Sequence, residues 1–541
     1  MGFQPYMIVQ VVFFILIAIF IGYEVYKIKP ETKQNKRIAY FTFLFLFLGV
    51  LLRTINLSYP QGVFVDEAMG AYDSWCLANF GVDSNLMSYP VYLKSWGTGQ
   101  SALYAYLALP FIKIFGLSAE VYRLPMSLIG CMSLLSLYWA LKKSGKKPLL
   151  VFWLIAFLTI NPWHIIKSRF AVDCNICPDL VLIGVCLLIV AFAPLAKRQL
   201  TYSAAGFSLI AISAYGYGIS WMVLPFIFVA AFWYLYKNDY LSGKSILVIS
   251  VVSFILLLPL ILFAITLFFK LEQFNLGSIT ITRLSDGRHN NTTLLGGENV
   301  VSQILFYLKL GYKVVILGID NLNVSSLQWS GVFYNIISLP LLVFGIYKSR
   351  KEKGDWVNRI FFIWLISCLP MLLIVEPTVN HWNLLWFPCI YFTGYGIYRF
   401  SEISRVNGVV IGCIYAISFL LFLRNYFDKN IYNPFNSYTF EQEIKFTRNH
   451  SFDKVYYPKD FIHSYTLFYN PISPYRFAET YVSNGAALSI ALSYDNISFG
   501  LPAIEPKDKT AYIVSNWQLS KIDTRGFHIH SGEYYTVLWC D

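Results

Sequence analysis

Two adjacent carboxylates, Asp66 and Glu67, follow directly after an apolar stretch in the first eighth of the chain. Adjacent side chains diverge on a strand and do not face each other on a helix, so the two acids are expected to have different roles. One could act as a base while the other holds a metal, a backbone amide or a cation. The structural alternative is a helix N-terminus, in which Asp66 caps a helix over 67–80.

A third acid, Asp173, lies four residues after Arg169. On a helix this spacing would place the two side chains on one face, where a simple ion pair is the alternative to a functional role. Basic residues are predicted to gather on the same side of the membrane: Lys94, Arg123, Arg169, Arg283, Arg288 and His381. Such a set of acids and bases would suit a site that holds a phosphate and takes a proton from a hydroxyl.

The composition places these residues on a membrane protein. Of the 541 residues, 57% are hydrophobic and 13% are charged, and the mean hydropathy is +0.54. Soluble domains carry about 25% charged residues. A single soluble globule and a disordered chain are therefore both excluded. An aromatic share of 18% agrees with rings that line membrane interfaces.

About twelve apolar segments are predicted to be transmembrane helices. They are 7–26, 38–54, 123–141, 148–163, 177–195, 201–218, 221–237, 245–267, 332–347, 358–376, 384–399 and 408–424. The short loops between them hold much of the basic excess, as in the loop with Lys142, Lys143, Lys146 and Lys147. This pattern is typical of cytoplasmic loops, so the net charge of +12 needs no nucleic-acid partner, and nucleic-acid binding is not expected.

With the basic loops inside, three loops face outward: 55–122, 164–176 and 268–331. The first and third contain apolar stretches, 101–115 and 299–318, that are predicted to lie along the outer interface as helices. Residues 1–424 are predicted to form the membrane domain with these loops. Residues 425–541 lose the long apolar runs and are predicted to form an extracytoplasmic soluble α/β domain. Its predicted strands are Lys454–Tyr457, Thr510–Ser515 and Tyr534–Trp539, and its predicted helix covers 438–449.

Cysteine usage does not point to a metal or redox centre. Six of the nine cysteines fall in or beside apolar spans, as expected for a small buried side chain. Cys174 and Cys177 form a lone C-x-x-C, and a zinc site would need two further ligands nearby.

Four segments resemble a known family. The acidic motif is VDEAMGAYDSW (65–75), and a Lys-containing turn, an interfacial helix and an R-L-P run follow it within 92–130. HIIKSRFAVDCN (164–175) and NHWNLLWFPCIYFTGYGIY (380–398) complete the ordered set. Together they are similar to polyprenyl-phosphate-sugar-dependent glycosyltransferases of the GT-C fold, the family 39 group of protein O-mannosyltransferases and lipid A aminoarabinose transferases. Two departures are visible: Ser95-Trp96 replaces the usual Pro-Pro, and the first apolar segment is an addition.

The resemblance implies roles for individual residues. Asp66 would be the catalytic base with Glu67 beside it, and Asp173 would be the second acid of the site. Lys94, Arg123 and Arg169 would contact the donor phosphate or brace the acids. His381 stands where many relatives have a more basic residue, and it would also be near the phosphate. The family pattern implies no certain cofactor and leaves a divalent metal open.

The implied reaction is an inverting transfer of a sugar from a polyprenyl phosphate to a hydroxyl of an extracytoplasmic acceptor. The acceptor could be a cell-surface glycan, a lipid-linked glycan or a protein, and the partners are the lipid-linked donor and the bilayer. The main alternative is a polytopic transporter or flippase, because twelve spans would suit one. If the protein is a glycosyltransferase, Asp66 and Asp173 are expected to lie near each other at the outer interface.

Overall fold

The computed structural model describes residues 4–27, 33–95, 99–194, 196–284, 300–320, 327–352, 354–428, 430–483 and 490–541. Asp286, Arg288 and His289 of the third predicted outer loop lie outside these residues. The chain divides into two compact units. The first consists of Met1–Asn56, Arg123–Ile261 and Arg288–Tyr432, and the second of Leu57–Tyr122, Leu262–Gly287 and Asn433–Asp541. The predicted domain boundary at 424/425 stays a prediction.

Helices make up most of the described chain. Those up to residue 237 are α1 (Met7–Tyr26), α2 (Lys33–Thr54), α3 (Val65–Phe80), α4 (Leu103–Phe115), α5 (Ala119–Lys143), α6 (Pro148–Thr159), α7 (Pro162–Lys167), α8 (Ile176–Ala191), α9 (Gln199–Ser213) and α10 (Leu224–Lys237). The next are α11 (Gly243–Phe269), α12 (Val300–Tyr312), α13 (Asn335–Lys351), α14 (Trp356–Ser367), α15 (Leu369–Ile374), α16 (Asn383–Ser401) and α17 (Arg405–Phe427). Four short helices follow: α18 (Glu441–Arg448), α19 (His463–Tyr469), α20 (Pro474–Thr480) and α21 (Asn516–Leu519).

Each of the twelve predicted membrane segments contains a helix. Among the described residues, seven helical stretches are both long and apolar enough to cross a membrane: Met7–Tyr26, Lys33–Thr54, Ala119–Lys143, Asp173–Ala191, Gly243–Phe269, Trp356–Ile374 and Arg405–Phe427. The chain is therefore a multi-pass membrane protein, as its composition predicts. The two stretches expected to lie along the interface are also helical, as α4 and α12. α4 has only 13 residues, which is short for a span, whereas α12 continues directly into a π-helical segment, Lys313–Leu317.

The second unit contains a seven-stranded mixed sheet. Two short two-stranded hairpins come first in the chain: β1 (Tyr92–Leu93) with β2 (Gln100–Ser101), and β3 (Phe274–Leu276) with β4 (Ile279–Ile281). The strands of the seven-stranded sheet are β5 (Lys454–Tyr457), β6 (Val482–Ser483), β7 (Ala491–Tyr494), β8 (Ile497–Phe499), β9 (Thr510–Ser515), β10 (His528–Ser531) and β11 (Tyr535–Trp539). The spatial order is β10-β11-β9-β5-β8-β7-β6, and β5 is parallel to both of its neighbours. The three predicted strands are β5, β9 and β11, and the predicted helix over 438–449 is α18.

Helices α13 and α16 of the first unit approach each other through glycines. A Cβ atom added at Gly345 would lie 2.9 Å from the backbone nitrogen of Gly396, and closer still to the carbonyl oxygen of Phe392. Small residues allow such close approach of helices where lipid provides no hydrophobic driving force. This contact fixes α16, which begins two residues after His381.

We expect Gly345→Ala to destabilise the protein by about 1–3 kcal/mol, because the added methyl group must push α13 away from α16. Thermal unfolding in detergent would measure the change. Gly22→Ala is the matched control, since no atom lies within 4 Å of the added Cβ there. Equal unfolding temperatures for the two variants would contradict the packing argument.

Candidate functional site

The two adjacent acids have different surroundings at the start of α3. Phe64 is the extended N-cap residue, and Glu67 is the third residue of the helix. The backbone nitrogen of Phe64 donates to Glu67 Oε2 over 3.0 Å, and the Glu67 side chain is fully buried. Asp66 is partly exposed. The carboxylate that caps the helix is therefore Glu67 rather than Asp66, which corrects the structural alternative considered for Asp66.

The start of α3 is attached to the C-terminal part of the second unit. The backbone nitrogen of Val63 donates to Ser437 Oγ over 2.6 Å, and this hydroxyl donates to the carbonyl of Val63 over 2.9 Å. Further along α3, the Tyr72 hydroxyl donates to the carbonyl of Ile472 over 2.8 Å. Residues far along the sequence thus position the helix that carries Asp66 and Glu67.

A cavity of about 930 Å³ lies within the second unit. Met69, one helical turn beyond Asp66, contributes to its wall. Two of the predicted basic residues, Lys94 and Arg283, also line it. Arg283 forms an ion pair with Glu272, which lines the cavity as well. The structure thus brings two of the predicted cations to the cavity beside α3.

Hydrogen bonds to the β3–β4 hairpin region hold the strand that leads to Lys94. The Thr282 hydroxyl donates to the carbonyl of Tyr92 over 2.7 Å, and the amide of Val91 donates to the carbonyl of Thr280 over 2.9 Å. The Tyr92 ring stacks on Phe263 with centroids 4.7 Å apart. Ser95 lines the cavity, whereas Trp96 lies outside the described residues.

A buried pair of acids that the sequence analysis missed lies next to this wall. Asp73, on α3, accepts a hydrogen bond from the amide of Ser84 over 2.9 Å. Asp83 accepts from the amides of Asn85 and Met87 over 2.9 and 2.8 Å. Burial and the charge of Asp83 raise the pKa of Asp73 to about 7. Burial raises the pKa of Asp83 to about 6, against the opposing effect of its hydrogen bonds and of Lys94. The Asp-Ser-Asn turn at 83–85 was the available sequence signal.

This pair predicts that stability falls as the pH rises. Both pKa values are higher in the folded state than the ordinary value of 3.8, so the folded protein binds these two protons more tightly than the unfolded chain does. The resulting contribution to the free energy of unfolding is complete below about pH 4 and is lost as the pH rises through about 6 to 7. We expect the unfolding temperature to fall between pH 5 and pH 8. Asp73→Asn should weaken this dependence, because an amide oxygen still accepts from Ser84 without a charge. An unchanged pH profile in that variant would contradict the assignment.

In the first unit, Arg169 and Asp173 do not share a helix. Helix α7 ends at Lys167, and Asp173 opens a 3₁₀ turn. The fully buried guanidinium of Arg169 donates from Nη1 to the carbonyls of Leu52 and Ile55 over 3.1 and 2.5 Å. It thereby binds the carbonyl end of α2, where a cation is favourable. Asp173 is partly exposed, and its Oδ1 accepts from the amide of Cys174 over 2.8 Å.

The segments of His381 and Asp173 meet within the first unit. Asn383 Nδ2 donates to the carbonyl of Cys174 over 2.7 Å. His381 Nδ1 lies 2.8 Å from the carbonyl oxygen of Glu376, which can only accept, so Nδ1 carries the proton. Arg123 is fully buried on α5. The structure thus brings together the backbone around two of the predicted site residues.

A buried ionic network supports the loop that holds Arg169 and Asp173, and the sequence analysis did not identify it. Arg53 Nε donates to His164 Nδ1 over 3.0 Å, and His164 Nε2 donates to Asp179 Oδ1 over 3.1 Å. Lys167 pairs with the other oxygen of Asp179 and donates to the carbonyl of Asn175 over 3.2 Å. All four side chains are buried. The available signal was ionisable residues in or beside predicted spans, which are expensive in a membrane and so have a role.

Metal ligation is not evident among the described residues. No group of three or more His, Cys, Asp or Glu side chains there could hold a metal ion.

No model of a known protein family and no curated protein matches the sequence. Solved structures do match. ArnT from Cupriavidus metallidurans in the apo state aligns with a TM-score of 0.56 at 11% identity, covering 92% of this chain and 97% of that one. The fold is that of ArnT. The same enzyme bound to undecaprenyl phosphate gives a TM-score of 0.54 at the same identity and coverage.

A more distant match is the Archaeoglobus fulgidus oligosaccharyltransferase in complex with Zn and sulfate. Its TM-score is 0.50 at 12% identity, covering 80% of this chain and 61% of that one. These likenesses confirm the predicted GT-C fold class, a mainly helical membrane protein with a C-terminal sheet region.

Proposed function

We propose that the protein is an inverting glycosyltransferase that moves a sugar from a polyprenyl phosphate to a hydroxyl of an extracytoplasmic acceptor. The observation that carries this proposal is the ArnT fold over nearly the whole chain, in a relative that was also solved with undecaprenyl phosphate bound. The cavity of the second unit supports it, because both Lys94 and Met69, which lies one turn of α3 beyond Asp66, line that cavity. The transporter alternative has no support among the matched structures.

The proposed chemistry is a single displacement. Asp66 takes the proton of the acceptor hydroxyl, and the hydroxyl oxygen forms a bond to the anomeric carbon of the donor sugar. The bond from that carbon to the phosphate oxygen breaks, and lipid phosphate leaves with the electron pair. A phosphate is a stable leaving group, so the protein must chiefly stabilise its growing charge. Lys94 and His381 are proposed for that role. Arg123 and Arg169 are fully buried, so of the two roles implied for them we propose that they brace the acids of the site, with Asp173 as the second acid.

In this proposal Glu67 is a positioning residue rather than a catalytic one. Its carboxylate is buried and occupied by the amide of Phe64, which suits a residue that fixes the start of α3. Asp66 is partly exposed and is the better placed of the two to meet a substrate. The site and the C-terminal segment are proposed to face the extracytoplasmic side, because the basic loops predict the opposite side to be cytoplasmic.

We expect Asp66→Asn to leave a folded protein whose turnover is lower by about 10²–10⁴-fold, the usual effect of losing a general base. The assay is release of polyprenyl phosphate from purified donor in detergent or nanodiscs. Asp453→Asn is the matched control, since Asp453 is an exposed carboxylate of the second unit. Full activity of the Asp66→Asn variant, or an equal loss of activity in Asp453→Asn, would show that Asp66 is not the general base.

The proposal also requires Asp66 and Asp173 to share one site. We expect cysteines at both positions to be joined by a short bifunctional thiol reagent, detected by mass spectrometry of the linked peptides. The background should carry Cys413→Ser and Cys540→Ser, because these two cysteines are not buried. A pair at Asp66 and Asp355 is the control, since Asp355 follows a basic loop predicted to be cytoplasmic. Absence of the first link, or formation of the second, would contradict the shared site.

A further inference from the structure

One wall of the cavity in the second unit is aromatic. His463 on α19, Phe477 on α20 and Tyr481 just beyond α20 all line it. The His463 and Phe477 rings are nearly parallel, with centroids 6.0 Å apart and planes at 12°. The Phe477 and Tyr481 centroids are 5.1 Å apart. These rings form a continuous surface, which we call the aromatic wall.

The aromatic wall is uncharged at neutral pH. The amide of Ala491 lies 3.5 Å from His463 Nδ1 and donates to it, so Nδ1 is an acceptor. Burial lowers the pKa of His463 to about 4. A neutral imidazole beside Phe477 presents a ring face rather than a cation.

The rest of the cavity lining includes uncharged polar groups. Ser84, Asn85, Ser95 and Gln273 belong to it and supply both donors and acceptors. Arg283 and Glu272 neutralise each other in their ion pair. Lys94 remains as a cation beside Asp83, whose pKa it lowers. The lining therefore combines ring faces with hydroxyl and amide groups, and its charges are largely balanced.

The helices that carry the aromatic wall also meet the acid-bearing helix. α19 packs against α3, and the Tyr72 ring of α3 contacts Phe477 edge to face, with centroids 6.3 Å apart. Tyr465, on the same helix as His463, is close enough to Asp66 and Glu67 for their charges to add to burial in raising the pKa of its phenol. A ligand on the aromatic wall would thus lie in the same unit as Asp66.

We propose that the acceptor is a neutral saccharide and that the aromatic wall, with Tyr481 as its most accessible ring, is the acceptor subsite. This inference rests on the glycosyltransferase function proposed above. A sugar ring has an apolar C–H face that packs on an aromatic ring and a rim of hydroxyls that hydrogen-bond to amide and hydroxyl side chains. An anionic polymer such as a polyol phosphate would need several unpaired Arg or Lys side chains. The balanced charge of the lining favours the neutral class.

The test measures binding without donor. Full-length protein in nanodiscs is applied to a panel of immobilised neutral oligosaccharides, polyol-phosphate oligomers and Ser/Thr-containing peptides. We expect binding to neutral oligosaccharides, lowered about tenfold by Tyr481→Ala and retained by Tyr481→Phe, which keeps the ring. Preferential binding of polyol phosphates or peptides, or binding of no saccharide, would overturn the proposal.

Tyr475→Ala is the matched control. Tyr475 lies on α20, which ends just before Tyr481, and it is 52% exposed, but it packs on Phe80 rather than lining the cavity. We expect it to bind oligosaccharides as the unmodified protein does, and an equal loss in this variant would refute the assignment. In turnover with a bound oligosaccharide, Tyr481→Ala should raise the acceptor KM about tenfold and leave the donor KM unchanged. If the unmodified protein bound neutral oligosaccharides but did not cleave the donor, the proposed glycosyltransferase function would be contradicted and the saccharide subsite would not.

Discussion

An ionised side chain inside an apolar helical bundle is stable only when charge partners and hydrogen-bond acceptors surround it. The helical unit meets this requirement with the network of Arg53, His164, Asp179 and Lys167. The Asp179 carboxylate contacts Lys167 and the imidazole of His164, and that imidazole accepts from Arg53. The carbonyls of Gly49, Leu158 and Asn175 accept further hydrogen bonds from Arg53 and Lys167. Because these partners come from α2, α6, α7 and α8, the network joins those helices and the loop after Lys167. Asp173 owes its position to that loop, so the proposed chemistry depends on a charge arrangement that never meets the substrate.

The second unit holds Asp66, a partly exposed acid, on a helix outside the membrane spans. Glu67 occupies the open amide at the start of α3, Ser437 fixes the residue before it, and Tyr72 anchors the middle of the helix. The same unit contains the cavity with Lys94 and the aromatic wall. A helix N-terminus, a hairpin and the C-terminal segment thus form one structure, although the sequence presents them as a loop and a separate domain.

The sequence predicted the elements much better than their assembly. Apolar length alone located a helix in each of the twelve segments, and short runs rich in β-branched and aromatic residues located strands such as Thr510–Ser515. The sequence could not show that Glu67 rather than Asp66 caps α3, because the two acids are neighbours and either could reach an amide. It also could not reveal the Asp73 and Asp83 pair or the Arg53 network, since these depend on contacts between residues far apart in the chain. The resemblance to a GT-C family came from ordered motifs, and the fold is confirmed at only 11% identity to ArnT.

The bond between Val63 and Ser437 joins residues 374 positions apart. During synthesis α3 leaves the ribosome long before its partner exists. Among the described residues, five more stretches able to cross the membrane follow α3 and are still to be made and inserted. The acid-bearing helix therefore lacks this support until Ser437 and the segment around it have been translated. A product that stops before Ser437 would insert its helices without this contact, so competence for the proposed reaction would arise only after that segment has been made.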